Sequence, residues 1–166
     1  MTTVNFINNK EIDIKGTAQN TRKFLNKDID KYLNLSGMHR FDICSPKLNG
    51  LPSARNDKAR EEFMLRIFYA QSIVKSVSNA ITNLTDESKR PYKVILVSKY
   101  VNGLQDQFVA QKIGYSDSRY RDIKRDALAE FAIKFLYYQL LNNVEHPIDL
   151  CKYKKTQCIE NRLQVI

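Results

Sequence analysis

Ser118, Arg119, Arg121, Asp122 and Arg125 fall within eight positions and carry the side chains of this chain best suited to reading a polar molecular edge. An arginine presents a planar fork of donors that matches O6 and N7 of guanine, while a serine hydroxyl and an aspartate carboxylate suit other base edges or orient a neighbouring arginine. By helical position Arg125 and Arg121 rank ahead of Arg119 as base readers. Lys112, Ser116 and Lys124, with the backbone amides near Gly114, are suited instead to phosphate oxygens, which position a protein on a duplex without reading its sequence. Lys124 lies beside an apolar stripe, and the expectation is that it snorkels, with its stem on the core and its ammonium in water. Asp117, Asp122 and Asp126 offer the arginines a competing fate as solvated surface ion pairs.

Other chemistries find little support. The chain has no Gly-rich phosphate loop, no Gly-flanked serine and no histidine paired with a carboxylate at a catalytic spacing. His39 and His146 read as surface or loop residues, and Glu61-Glu62 as a solvated helix position. Cys44, Cys151 and Cys158 are an odd, scattered set that matches no zinc spacing, even with His146 nearby. The expectation is a protein that is not an enzyme and takes no cofactor and no metal.

The elements that must position the arginines are helices. In Asp117 to Leu141 the residues Tyr120, Ile123, Ala127 and Phe131 recur at steps of three and four, so they form a core stripe opposite Ser118, Asp122 and Arg125. Before it, Gly114-Tyr115-Ser116 is a turn: Gly114 allows a left-handed helix end, and Ser116 or Ser118 can cap the helix that follows. Leu104 to Ile113 is a short helix with Phe108, Val109 and Ile113 at helical spacing. Val94 to Val101 is another, ended by Asn102-Gly103. A helix, a tight turn and a second helix with a polar outer face is the arrangement that lets a reading helix enter a major groove.

The order Val94-Ile95-Leu96, Tyr100-Val101, Val109-Ala110, Ile113-Gly114-Tyr115-Ser116, Tyr120 and Ala127-Leu128 resembles the helix-turn-helix of sigma factor region four. Adding Ser45-Pro46-Lys47-Leu48-Asn49-Gly50-Leu51-Pro52 and the helical run after Asn56, the stretch from Ile14 to Leu141 is similar to the ArpU and RinA families of phage late-gene transcriptional regulators. The resemblance implies an activator of packaging, structural or lysis genes that binds double-stranded DNA in the bacterial host cytoplasm, with host RNA polymerase as a second partner. The alternative is an adaptor that uses the same fold to bind polymerase or another protein, with little DNA affinity of its own.

Charge agrees with a nucleic-acid partner. The 166 residues carry 27 Lys and Arg against 18 Asp and Glu, for a net charge of +9. From Lys89 to Lys134 there are 10 basic and 5 acidic residues, so +5 of that excess falls on the helix-turn-helix and its lead-in. No apolar run reaches the roughly 18 residues of a membrane helix, so no membrane partner is expected.

The rest of the chain supplies the scaffold. Residues 1–37 read as an arm followed by a helix: Val4, Phe6, Ile12 and Ile14 alternate around Asn8-Asn9 as a short hairpin or extended arm, and Thr17 is the expected helix cap. That helix sets Ala18, Thr21, Leu25 and Ile29 on one face and Lys23, Lys27 and Lys31 on a solvated one. Residues 38–56 lack periodicity and read as a loop or linker, with Lys47 and Arg55 as basic contacts. Residues 57–141 are the helical scaffold, with the helix-turn-helix at about 91–141. Within it Phe63, Ile67, Ala70, Val74, Val77, Ile81 and Leu84 form a heptad seam over 57–84. Its partner is either the helix ending at Leu141 or the same helix of a second chain in a homodimer. Residues 142–166 are a C-terminal tail. The fold class expected is therefore an all-α helical bundle with a C-terminal region-four-like helix-turn-helix and a short N-terminal hairpin or arm.

Overall fold

The computed structural model of the chain describes residues 6–7, 10–45 and 58–154. The described residues are mostly helical, with strand confined to two-residue pairs, so the protein is an all-α bundle. Val4, the Pro46 to Pro52 stretch with Lys47, Arg55, and Cys158 lie outside the described residues.

The amino-terminal arm is a hairpin of two-residue strands, β1 (Phe6–Ile7) and β2 (Lys10–Glu11), paired antiparallel. The first helix begins earlier than expected. Asp13 caps α1 (Ile14–Lys23), its carboxylate accepting from the Gly16 amide at 3.1 Å. Thr17 is instead fully buried and its hydroxyl accepts from the Lys152 amide at 2.9 Å, so it fastens a distant strand of chain rather than a helix end. A Cβ at Gly16 would come within 2.3 Å of Lys152 Cδ and 2.6 Å of the Asp13 carboxylate, so a larger residue there would displace the lysine stem and the capping side chain. A π-helical turn, Phe24–Asp28, joins α1 to α2 (Ile29–Ser36), which stops at left-handed Gly37 as its sequence requires. Lys23, Lys27 and Lys31 are all exposed, the last 3.6 Å from Asp28.

Arg40, in a 3₁₀ turn (Arg40–Cys44), locks the π turn in place. Its guanidinium donates to the carbonyls of Leu25 (2.8 Å), Asn26 (3.2 Å) and Tyr100 (3.0 Å), and pairs with Asp30 at 2.8 Å. A π turn shifts the regular ladder, and an arginine fork is well shaped to collect the carbonyls it leaves.

Two long helices carry the core. α3 (Lys58–Thr82) lies antiparallel to α6 (Asp117–Leu141), as the cross-links between them require: Glu130 accepts from the Thr85 amide at 2.9 Å, Asn142 donates to Ser76 at 2.9 Å, and the Tyr69 hydroxyl donates to the His146 carbonyl at 2.8 Å. Phe131 stacks on Phe135 with centroids 5.6 Å apart, and Phe135 meets Phe24 at 5.1 Å, so the π turn between α1 and α2 closes the same core. The α3 seam is buried at Ala70, Val74, Val77, Ile81 and Leu84. Its first half departs from the expectation. Phe63 is 53% exposed and Ile67 only half-buried, because α6 ends opposite Ser76.

Beyond α6 the chain folds back onto α1. Gln139 is fully buried and turns it, donating to the Ile148 carbonyl at 2.9 Å and accepting from the Ile148 amide at 2.7 Å. Asn20 then donates to the Leu150 carbonyl at 3.2 Å, the Asp13 amide to Lys152 at 2.8 Å, and the Lys154 amide to Glu11 at 2.8 Å. Leu150 and Cys151 thus join the core. Burial and the Asp149 carboxylate push the Cys151 thiol up to about 12, whereas Cys44 is exposed. With little thiolate available, Cys151 should stay unmodified in native protein at pH 7 while Cys44 takes up a maleimide. Peptide mass mapping checks this, and equal labelling of the two would show that the returning segment opens readily.

Candidate nucleic-acid interface

Between the long helices a second hairpin, β3 (Asp86–Glu87) and β4 (Arg90–Pro91), leads into α4 (Tyr92–Leu96), which continues as a π turn over Val97–Val101. Of its apolar residues Ile95, Leu96 and Val101 are buried, while Val94 and Val97 are only half-buried. Gly103, at φ 70°, ends it. α5 (Asp106–Ile113) starts two residues later than the expected Leu104 and buries Val109 and Ala110 against its neighbours. Gly114 then takes φ 71°, a left-handed conformation that a side chain would strain, and Ser116 caps α6 by accepting from the Arg119 amide at 3.4 Å. The turn is braced from outside by Tyr115, whose hydroxyl donates to the Ser88 carbonyl at 2.8 Å.

The first turns of α6 divide as their periodicity predicts. Tyr120, Ile123, Ala127 and Phe131 are buried, and Ser116, Ser118, Arg119, Arg121 and Asp122 are exposed on the other side. The three arginines differ in how they are held. Arg125 is paired with Asp122 at 3.2 Å and Asp126 at 3.9 Å. Arg121 reaches back to the Asp117 carbonyl at 3.2 Å, and among the described residues neither it nor Arg119 has an ion-pair partner. Solvent-exposed pairs of the Arg125 kind contribute about 1 kcal/mol or less, so a stronger acceptor can replace them. Lys112 is exposed, its ammonium 3.5 Å from the Ser98 hydroxyl.

Lys124 corrects the sequence reading. It does not snorkel: its side chain is 7% exposed and its ammonium lies 2.7 Å from the Asp106 carboxylate, over the rings of Tyr120 (5.7 Å) and Tyr100 (5.9 Å). It is therefore not placed to hold a phosphate. The same Asp106 oxygen accepts from the Tyr120 hydroxyl at 2.8 Å, with Lys99 3.7 Å away. Burial alone would raise the Asp106 pKa, but hydrogen bonds from Lys124 and Tyr120 and the lysine charges hold it below the ordinary carboxylate value. Burial also pulls the Lys124 pKa down, partly offset by Asp106. The first turn of α5 is thus tied to the second and third turns of α6, which sets the angle at which the outward face of α6 is presented.

Asp106 is the positioning residue that the sequence reading missed. Its signal was Lys124 itself, since a lysine inside an apolar stripe needs an acidic partner in the fold.

No family model, curated protein or solved structure matches this chain. Among the described residues no helix is long and apolar enough to cross a membrane, and no group of His, Cys, Asp and Glu gathers in a form that would hold a metal ion.

Proposed function

We propose that the chain is a sequence-specific DNA-binding transcriptional regulator whose reading element is the start of α6. The observation that carries this reading is the outward row Ser118, Arg119, Arg121 and Asp122, exposed on a helix whose opposite face is fixed by Tyr120, Ile123 and the Lys124–Asp106 pair. A helix rigidly held on one side and offering guanidiniums on the other can enter a major groove without reorganising. The basic excess around it favours a polyanion. The resemblance to sigma factor region four and to the ArpU and RinA regulators points the same way, toward activation of phage late genes in the host cytoplasm without catalysis or a cofactor. A second reading, an adaptor for RNA polymerase or another protein, is favoured by α5, where Phe108 is 51% exposed.

The proposal makes Arg119 and Arg121 the leading base readers, because Arg125 must first exchange two aspartates. An operator selected from randomised duplexes provides the probe. Arg119→Ala or Arg121→Ala should cost about 1 to 3 kcal/mol on that operator and much less on random sequence. Lys112→Ala should weaken both duplexes alike and reduce the salt slope by about one contact. Small, equal losses for all the arginine variants on both duplexes would favour the adaptor.

A further inference from the structure

The β3–β4 hairpin is tied to α6 and its lead-in at both ends. At its base Thr85 donates its amide to Glu130 at 2.9 Å and its hydroxyl to the same carboxylate at 3.0 Å, and at its tip the Ser88 carbonyl accepts from the Tyr115 hydroxyl at 2.8 Å. Glu130 stands in the body of α6 and Tyr115 just before its Ser116 cap, so the hairpin runs along α6 toward the end that carries the reading row. Tyr92, which follows the hairpin, is buried on the same flank: burial and the Asp126 and Glu130 carboxylates raise its pKa above the ordinary tyrosine value, opposed by Arg90 and Arg119. At about 100° per residue, Arg119, Asp126 and Glu130 share a stripe about 100° round α6 from Ser118, whereas Lys124, which faces α5, falls about 120° round in the other sense. The reading row is therefore flanked by α5 on one side and by the hairpin on the other.

We propose that the tip of this hairpin is a second DNA contact, in which Lys89 holds a phosphate on the wall of the major groove that lies away from α5. This inference rests on the DNA reading of α6 and adds to it a contact outside the helix-turn-helix. The strand register pairs Glu87 with Arg90 and so leaves Ser88 and Lys89 as the two-residue tip. Tyr115 takes only the Ser88 carbonyl, which fixes the tip beside the start of α6 and leaves the Lys89 side chain free. The hairpin's own acids do not claim that side chain. Glu87 is engaged by Arg90 at 2.9 Å, Asp86 stands opposite Pro91 at the base end, and among the described residues Lys89 is exposed and has no ion-pair partner. The major groove is about 12 Å wide, so the phosphates beside an inserted helix run close along its flanks, and the four-carbon stem of a lysine at the tip can span the gap. A tip already held in place loses little freedom when it makes that contact.

Fluorescence anisotropy of the full chain on the selected operator and on a random duplex, over a salt series, tests the proposal. Lys89→Ala should bind both duplexes about five- to tenfold more weakly at about 0.1 M salt and reduce the salt slope by about one contact, with the preference for the operator unchanged. Its circular dichroism should match the wild type, since the side chain is exposed. A scan of single neutral methylphosphonates along the operator should find a position that weakens the wild type and leaves Lys89→Ala unaffected, a readout that a merely bracing hairpin would not give. If Lys89→Ala binds both duplexes as the wild type does, the hairpin contact is overturned, and the DNA reading stands so long as Arg119→Ala or Arg121→Ala loses the operator. A loss confined to the operator also overturns it, because a phosphate contact carries no sequence preference. A wild-type chain that binds neither duplex overturns the hairpin contact together with the DNA reading.

Discussion

Val74→Asp should unfold the protein or leave it barely folded. Val74 is fully buried in the half of α3 that packs within the core, between Ala70 and Val77 on the same seam. No basic side chain lies among the buried residues of that seam to meet a carboxylate. The substitution loses the burial of the valine and must either hold an unpaired charge in an apolar layer or protonate it. Together these cost several kcal/mol, on the order of 4, against a total stability of roughly 5 to 15 kcal/mol for a domain of this kind. Urea denaturation followed by circular dichroism measures it. The contrast is Phe63→Asp, about three helical turns away on the same heptad but half in solvent, where the change to the fold should stay within about 0.5 kcal/mol. If Val74→Asp proved as mild as Phe63→Asp, the packing of α3 against α6 would be wrong.

That contrast also shows what periodicity can and cannot tell. The heptad from Phe63 to Leu84 is continuous in sequence, yet among the described residues only the part from Ala70 onward is buried, because the length of α6 and its turn at Asn142 decide where the facing helix stops. A repeat announces an apolar face and says nothing of what covers it. By the same logic the core stripe of α6 was legible from Tyr120, Ile123, Ala127 and Phe131, and so were the Gly114 turn and the Ser116 cap, since each depends on neighbours within a few residues. The role of Thr17 was not. Its spacing suits a helix cap, but Asp13 takes that task and Thr17 holds Lys152, a partner 135 residues away. Gln139, buried to turn the chain toward α1, gave no local sign of it either. The second hairpin, 86–91, gave no sequence signal, because two-residue strands leave no alternation to detect.

Asp106→Asn should destabilise the protein at neutral pH, and the deficit should shrink as the pH is raised. Asparagine keeps the shape and an acceptor for the Tyr120 hydroxyl, but it strips the Lys124 ammonium of its counter-charge at a site where the lysine side chain is 7% exposed. Removing one member of a buried pair leaves the other uncompensated, at about 3 kcal/mol for a site this closed. The direction with pH follows from linkage. Burial already lowers the Lys124 pKa and Asp106 partly restores it, so the variant lysine must fall further below its unfolded value. The penalty of the charged form is then complete below the folded pKa and disappears above the unfolded one, near 10.4. The wild-type pair has its own limit on the acid side. The Asp106 pKa is held below that of the unfolded chain, so its contribution is present above about pH 4 and is lost as the pH falls through the folded value. Lys124→Met, which keeps the apolar stem and removes the charge, should be better tolerated than Asp106→Asn because the half-exposed Asp106 carboxylate can be hydrated. Urea midpoints for both variants at pH 7 and pH 10 decide the matter. An Asp106→Asn deficit that is absent at pH 7, or that stays the same at pH 10, would mean that this ion pair does not fix α5 against α6.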